Sequence, residues 1–235
     1  MGQFKTDWLD LRLMDNMELM KQYPDGWFDL AVADPPYGIG MGKKKTIGKR
    51  GKTFSTTTYK QSNWDFKIPN KEYFIELFRV SKNQIIFGAN YFTHFLPPSQ
   101  GWFVYDKRQP DDFSMAHAEL AYTSFDRAIR MKGAKRTDVQ NCVSNNKRIA
   151  MTNAKIHQCQ KPITIYEFIL ITYAKEGMKI LDTHFGSGSI ALAVHRANVL
   201  DKMNLHLTAC EIDPEYFEQS VNRIRKSISQ QVMQF

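Results

Sequence analysis

The stretch from residue 179 to residue 211 constrains the fold more than any other part of the chain. Lys179-Ile180-Leu181-Asp182 reads as a short buried strand, and the turn after it carries Gly186 and Gly188. Ile190-Ala191-Leu192-Ala193-Val194 then starts a helix. Strand, glycine turn and helix in that order begin a nucleotide-binding βαβ unit. The glycines let the backbone come close to a ligand, and the first turn of the helix presents N–H groups without intrahelical partners. A second apolar run, 205–210, delivers Glu211, placed where an acid grips ribose hydroxyls in such units.

The run Gly186-Ser187-Gly188-Ser189-Ile190-Ala191 also satisfies the dinucleotide fingerprint, with Ala in the last place. A nicotinamide-dependent dehydrogenase is therefore a rival reading. Two features weigh against it. Dehydrogenase fingerprints usually open the chain, whereas here only one further strand follows. The tetrapeptide described below has no use in hydride transfer.

Alternating strand-like and helix-like segments run the whole length, which predicts an α/β fold around a largely parallel sheet. Strands are expected at 8–13, 28–33, 84–87, 102–105, 120–124, 179–181 and 205–210. Helices are expected at 14–22, 71–80, 163–174, 188–197 and 214–227. Asp213 and Pro214 suit the N-cap and first position of the last helix. A chain of 235 residues, 43% hydrophobic, can bury one sizeable core, so residues 1–235 read as a single catalytic domain with insertions. The longest apolar stretch, 163–174, is interrupted by polar residues and too short to span a bilayer. Three dispersed cysteines make no disulfide framework, and their spacing with the histidines fits no metal pattern. A reducing cytoplasm, bacterial or that of a phage-infected host, is the expected location.

The net charge of +8 is unevenly spread. Segments 41–60 and 127–148 hold 14 of the 32 basic residues and 1 of the 24 acidic ones, which leaves 18 basic against 23 acidic elsewhere. A mildly acidic body with two basic patches fits a polyanionic partner met at defined places. Candidate phosphate contacts are Lys43, Lys44, Lys45, Lys49, Arg50 and Lys52, in a basic loop at 41–63. Arg130 and Arg136, in a small insert at 126–156, are candidates for reaching a guanine edge. The bland alternative is a pair of solvated loops.

The basic loop closely follows Asp34-Pro35-Pro36-Tyr37, itself preceded by the apolar run Leu30-Ala31-Val32-Ala33. In an open α/β sheet, ligands bind just past the carboxyl ends of strands. Two prolines fix φ and donate no N–H, and the residue before each is held extended, so the turn is stiff. Such a turn suits chemistry on an aromatic amine. The amine's lone pair is delocalised into the ring, and the nitrogen becomes nucleophilic only when its N–H bonds are engaged. The Asp34 carboxylate and the Pro35 carbonyl can each accept one hydrogen, and acceptors act most strongly in a dry, preorganised pocket. Tyr37 can stack on a base extruded from a duplex. The alternative is a Pro-Pro turn with a capping Asp and a buried Tyr.

The two motifs together resemble those of the DNA amino-methyltransferases, the adenine-N6 and cytosine-N4 enzymes. The family's tetrad is Asp/Asn/Ser-Pro-Pro-Tyr, and its cofactor loop is typically Asp-Pro-Phe-x-Gly-Ser-Gly-Thr. Gln160-Lys161-Pro162 is similar to the segment before the cofactor loop in permuted, β-type members, where the tetrad comes first, as here. Residues 11–15 resemble the family's third strand; 102–107 and 116–119 resemble later strands. The chain resembles compact phage or mobile-element methylases.

The resemblance implies a Rossmann-like, seven-stranded S-adenosylmethionine-dependent methyltransferase fold, with helices on both faces of a mostly parallel sheet and a circularly permuted motif order. It implies catalytic roles for Asp34, Pro35, Pro36 and Tyr37. It implies cofactor contacts from Asp15, Asp34, Lys161, Asp182, Gly186, Gly188, Glu211 and Ile212. Thr183-His184 stand where the family has Pro-Phe, so His184 or Phe185 takes over the aromatic contact. The implied activity is methylation of adenine N6 in double-stranded DNA with base flipping. Cytosine N4, RNA and protein glutamine remain alternative acceptors. The small insert implies either a homodimer or a short target.

Overall fold

The computed structural model describes residues 2–40, 65, 67–111, 116–135, 156 and 159–232. Its strands, in chain order, are β1 (Gln3–Lys5), β2 (Leu9–Leu13), β3 (Leu30–Ala33), β4 (Gln84–Phe87), β5 (Trp102–Asp106), β6 (Ala118–Thr123), β7 (Arg130–Gly133), β8 (Lys179–Asp182) and β9 (His206–Glu211). The helices are α1 (Asn16–Met20), α2 (Lys71–Val80), α3 (Ile163–Tyr173), α4 (Ser189–Asp201) and α5 (Pro214–Val232). All nine strands join one sheet, ordered β1-β2-β9-β8-β3-β4-β6-β5-β7.

From β2 to β4 the five neighbours run parallel. β6 is antiparallel to both β4 and β5. Parallel strands are covered on both faces, so they read as continuous apolar runs. In β3 every residue is buried, and alternate side chains serve different cores. Leu30 and Val32 point into a core built with Ile165 and Ile169 of α3, Leu192 of α4 and Phe217 and Ile224 of α5. Ala31 and Ala33 point into a second core with Leu19 and Met20 of α1 and Phe74, Leu77 and Val80 of α2. The small alanines let α1 and α2 come close to the sheet. Asn70 caps α2 by accepting from Tyr73 N at 3.1 Å.

Among the described residues, nine strands stand where seven are expected. The two additions, β1 and β7, lie at the sheet edges and pair with β2 and β5 respectively. Neither QFK nor RMKG carries an apolar run, so neither can bury a face by itself. Main-chain pairing to an open edge holds them in place. β7 also takes the first part of the expected insert at 126–156 into the sheet.

Connections from the sheet centre diverge. From β8 the chain passes through α4 to β9 on one side; from β3 it passes through α2 to β4 on the other. The crevice between the carboxyl ends of β8 and β3 is thus a topological switch point, the place where open α/β sheets bind ligands. Asp182 ends β8 and Asp34 follows β3.

Candidate active site

Asp34 has both carboxylate oxygens engaged. Oδ1 accepts from the Tyr37 hydroxyl at 2.6 Å, and Oδ2 accepts from Lys161 Nζ at 2.5 Å. The loop that carries this pair is held from a distance in sequence. Asp65 Oδ1 accepts from Tyr37 N at 2.7 Å and from Gly38 N at 2.9 Å, and its carbonyl accepts from Gly40 N at 2.9 Å. The Tyr37 ring lies against Gly88, where a built Cβ would fall 2.1 Å from Tyr37 Cε1. Gly88 also has φ +68, so only glycine fits there. On Tyr37 stacks Tyr91, with ring centroids 5.3 Å apart and planes at 16°.

Lys161 joins Asp34 to a second carboxylate. Its Nζ lies 3.1 Å from Glu119 Oε2, a charge contact outside hydrogen-bond alignment. Glu119 Oε1 pairs with Lys107 at 2.8 Å. The Lys161 ammonium also sits 4.4 Å from the centroid of the Phe87 ring. Burial works against the Lys161 charge, but Asp34 and Glu119 outweigh it and hold the ammonium above its ordinary range. Burial likewise opposes the Glu119 charge, yet the two lysines pull that carboxyl down to about 2. At Asp34 burial prevails over Lys161, with Glu119 adding to it, and the carboxyl is pushed up. Burial, then Asp34 and Glu119, hold the Tyr37 phenol well above its usual value, so it stays protonated, donating to Asp34 and accepting from Lys161 Nζ at 3.3 Å.

Past β8, the glycine turn is tied from several sides. Glu211 Oε2 accepts from Gly186 N at 2.8 Å, while Oε1 accepts from Ile212 N and Asp213 N at 3.0 Å each. Arg223 of α5 donates to Ser187 O at 2.7 Å. Ser189 Oγ donates to Lys161 O at 3.0 Å, so Lys161 has its main chain on the turn and its ammonium on Asp34. The two glycines differ. A Cβ on Gly188 (φ +69) would meet Phe185 Cζ at 2.9 Å and Ile224 Cδ1 at 3.1 Å, which is the protein's own core. A Cβ on Gly186 (φ +49) would meet only His184 O, at 3.8 Å, and otherwise open space.

Asp182 is buried, and its Oδ1 accepts from His184 N at 2.9 Å. Among the described residues no cation pairs with it. Burial, with Asp34 and Glu211 adding to it, pushes its carboxyl up to about 8. An enclosed acid of this kind suits a ligand that brings its own positive charge. S-adenosylmethionine carries two, the ammonium and the sulfonium, so the site fits it.

The remaining expected residues are placed as follows. Asp15 caps α1, accepting from Met17 N at 2.8 Å and Glu18 N at 3.2 Å. His184 Nε2 lies 3.1 Å from Asn16 Nδ2 and Nδ1 lies 3.0 Å from Thr183 Oγ1, which also meets Tyr73 OH at 2.7 Å. With Asn16 donating, Nε2 accepts and Nδ1 carries the proton. Enclosure pushes this imidazole down to about 4, so it is neutral. Phe185 packs into the core, whereas Ile212 is 68% exposed beside Glu211. Arg130 is exposed on β7. Lys43, Lys44, Lys45, Lys49, Arg50, Lys52 and Arg136 lie outside the described residues.

A family model for DNA methylases (N6/N4 methyltransferases) matches residues 55–222, well over half of the chain. The chain belongs to the N6/N4 DNA methylase family. Membership carries the family's chemistry with it, methyl transfer from S-adenosylmethionine to DNA. A comparison with curated proteins finds no match. Among solved structures, PvuII DNA methyltransferase, described as cytosine-N4-specific, is similar with a TM-score of 0.59 at 13% identity, covering 93% of this chain and 87% of that one. M1.HpyAVI, solved with S-adenosylmethionine, gives 0.55 at 14% identity over 92% and 99%. At such identities the likeness is one of fold.

Sequence reasoning missed Asp65, Glu119, Lys107 and Tyr91 as parts of this site. Asp65 lies 28 residues from the amide it supports, and Glu119 lies 42 from Lys161. No local spacing could have linked them. Lys161 is expected at the cofactor; its carbonyl accepts from Ser189 Oγ at the start of α4, and its ammonium goes to the carboxylates.

Proposed function

We propose that this DNA methylase transfers a methyl group from S-adenosylmethionine to the N6 amine of adenine in duplex DNA, with the base turned out of the helix. The observation that carries the reading is a carboxylate, Asp34, set at the carboxyl end of β3 directly beside the glycine turn after β8. Asp182, Glu211 and the open face of Gly186 would hold the cofactor, which supplies an electrophilic methyl group. Asp34 accepts a hydrogen of the amine at a carboxylate oxygen and so localises the lone pair on nitrogen. Its raised affinity for protons suits it to take the proton the amine sheds on methylation. The Pro35 carbonyl accepts the second hydrogen, and Tyr37 offers its ring to the base. The tetrad precedes the glycine turn in the chain, and we read the motif order as permuted.

Incubation with labelled S-adenosylmethionine, duplex DNA and RNA tests the reading. Label should enter the duplex, and label confined to RNA would overturn it. Cytosine N4 is the second reading, favoured by the likeness to PvuII DNA methyltransferase.

The basic segment 41–60 would grip the DNA backbone. Each phosphate contact contributes about −0.9 to the slope of log affinity against log salt. Replacing Lys43, Lys44, Lys45, Lys49 and Arg50 by Ala should flatten that slope by about 2–4 units, equally for target and non-target duplexes. An unchanged slope would place the DNA path elsewhere.

A further inference from the structure

The geometry points to Glu119 as a positioning residue that shares the Lys161 ammonium with Asp34 and so leaves Asp34 a strong enough acceptor for the substrate amine. A buried lysine at 2.5 Å from one oxygen would, acting alone, make Asp34 a poor base, because it stabilises the carboxylate without a proton. Here that charge is shared. Lys161 contacts Asp34 at 2.5 Å and Glu119 at 3.1 Å, and Glu119 is held in turn by Lys107 at 2.8 Å. The four side chains form a line of alternating sign, Asp34, Lys161, Glu119, Lys107, with no net charge. Four separate elements build it, beginning with β3, which Asp34 follows. Glu119 is on β6, opposite Tyr105 of β5, and Lys107 directly follows β5, which brings the two together. Lys161 precedes α3 and is anchored through its carbonyl to the glycine turn.

The other groups that face Asp34 are Tyr37 on its own loop, Cys159 before α3, Tyr166 on α3, Tyr73 on α2 and Asp182 at the end of β8. Burial holds the phenols and the Cys159 thiol protonated. Glu119 is therefore the anion that competes with Asp34 for Lys161, since Asp182 pairs with no cation among the described residues.

The kinetic half of this inference rests on the methyl-transfer reading; the titration half does not. Two substitutions should move Asp34 in opposite directions. Glu119→Gln gives Lys161 wholly to Asp34, and the Asp34 pKa should fall by on the order of one unit. Lys107→Met frees Glu119 to pull harder on Lys161, and the Asp34 pKa should rise. The readout is carboxyl carbon NMR of protein labelled at aspartate, with the Asp34 signal assigned by its loss in Asp34→Asn. In turnover, Glu119→Gln should lower kcat with KM for DNA nearly unchanged, and the acid limb of its pH profile should shift down. If Glu119→Gln does not fold, Lys107→Met decides alone: an upward shift supports the inference, and no shift or a downward one overturns it. Shifts of the same sign in both variants would also overturn it. Opposite shifts in a protein that leaves DNA unmethylated would keep the coupling and sink the methyl-transfer reading instead.

Discussion

Asp34→Ala should lower the single-turnover rate of methyl transfer by about 10²–10³-fold or more, the scale on which removing one preorganised polar group acts. Asp34 is the carboxylate at the head of the crevice, and its acceptor capacity is required only as the amine changes geometry. The loss should therefore fall on the chemical step, with cofactor and DNA binding nearly intact. The variant also leaves Lys161 with Glu119 as its remaining carboxylate, so its melting temperature should drop. The thermal shift on adding S-adenosylmethionine controls for that loss of stability. A variant that keeps a near-wild-type single-turnover rate would remove Asp34 from the mechanism.

Gly186→Leu should remove the stabilisation by S-adenosylmethionine while leaving a folded protein. At φ +49 a non-glycine residue costs about 1–2 kcal/mol, and the new side chain enters open space beside the glycine turn. Gly188→Leu is the contrast. Its side chain would run into Phe185 and Ile224, so it should unfold the protein rather than block a ligand. In the wild type, the cofactor's effect should depend on pH through Asp182. The folded, ligand-free protein keeps that proton up to about 8. The unfolded chain releases it near 3.9, so ligand-free stability falls as pH rises through this window. A cationic ligand prefers the ionised acid, and its affinity should rise up to about ten-fold per unit until pH 8, then level off. Calorimetry between pH 6 and 9 checks this. Retained cofactor binding in Gly186→Leu, or stabilisation by NAD instead, would move the cofactor site or return the dehydrogenase reading.

The parallel centre of the sheet was legible because each of its strands must bury both faces. Leu30-Ala31-Val32-Ala33 and Lys179-Ile180-Leu181 announce themselves as apolar runs, and the helix expected at 71–80 is α2, which buries Tyr73, Phe74, Leu77 and Val80. The edge strands β1 and β7 have no such requirement; their pairing is main chain to main chain, which side-chain pattern does not encode. The candidate site divides in the same way. Asp34, Tyr37 and Gly186 belong to short contiguous motifs and Glu211 ends the next strand, so local pattern together with the family resemblance singles them out. Glu119, Lys107 and Asp65 reach the site through sheet register and loop return, so their roles exist only in three dimensions. Gly188 carries a second requirement that its motif does not reveal. The space a side chain would need there belongs to Phe185 and Ile224, so packing alone demands glycine.

The most direct measurement is nucleoside analysis of the duplex after incubation with the labelled methyl donor. DNA digested to single nucleosides should carry the label on N6-methyldeoxyadenosine, and the label should vanish with Asp34→Ala. Label found only on N4-methyldeoxycytidine would reassign the base while keeping the site. A duplex without label, under conditions where S-adenosylmethionine stabilises the protein, would contradict methyl transfer to a DNA base amine altogether.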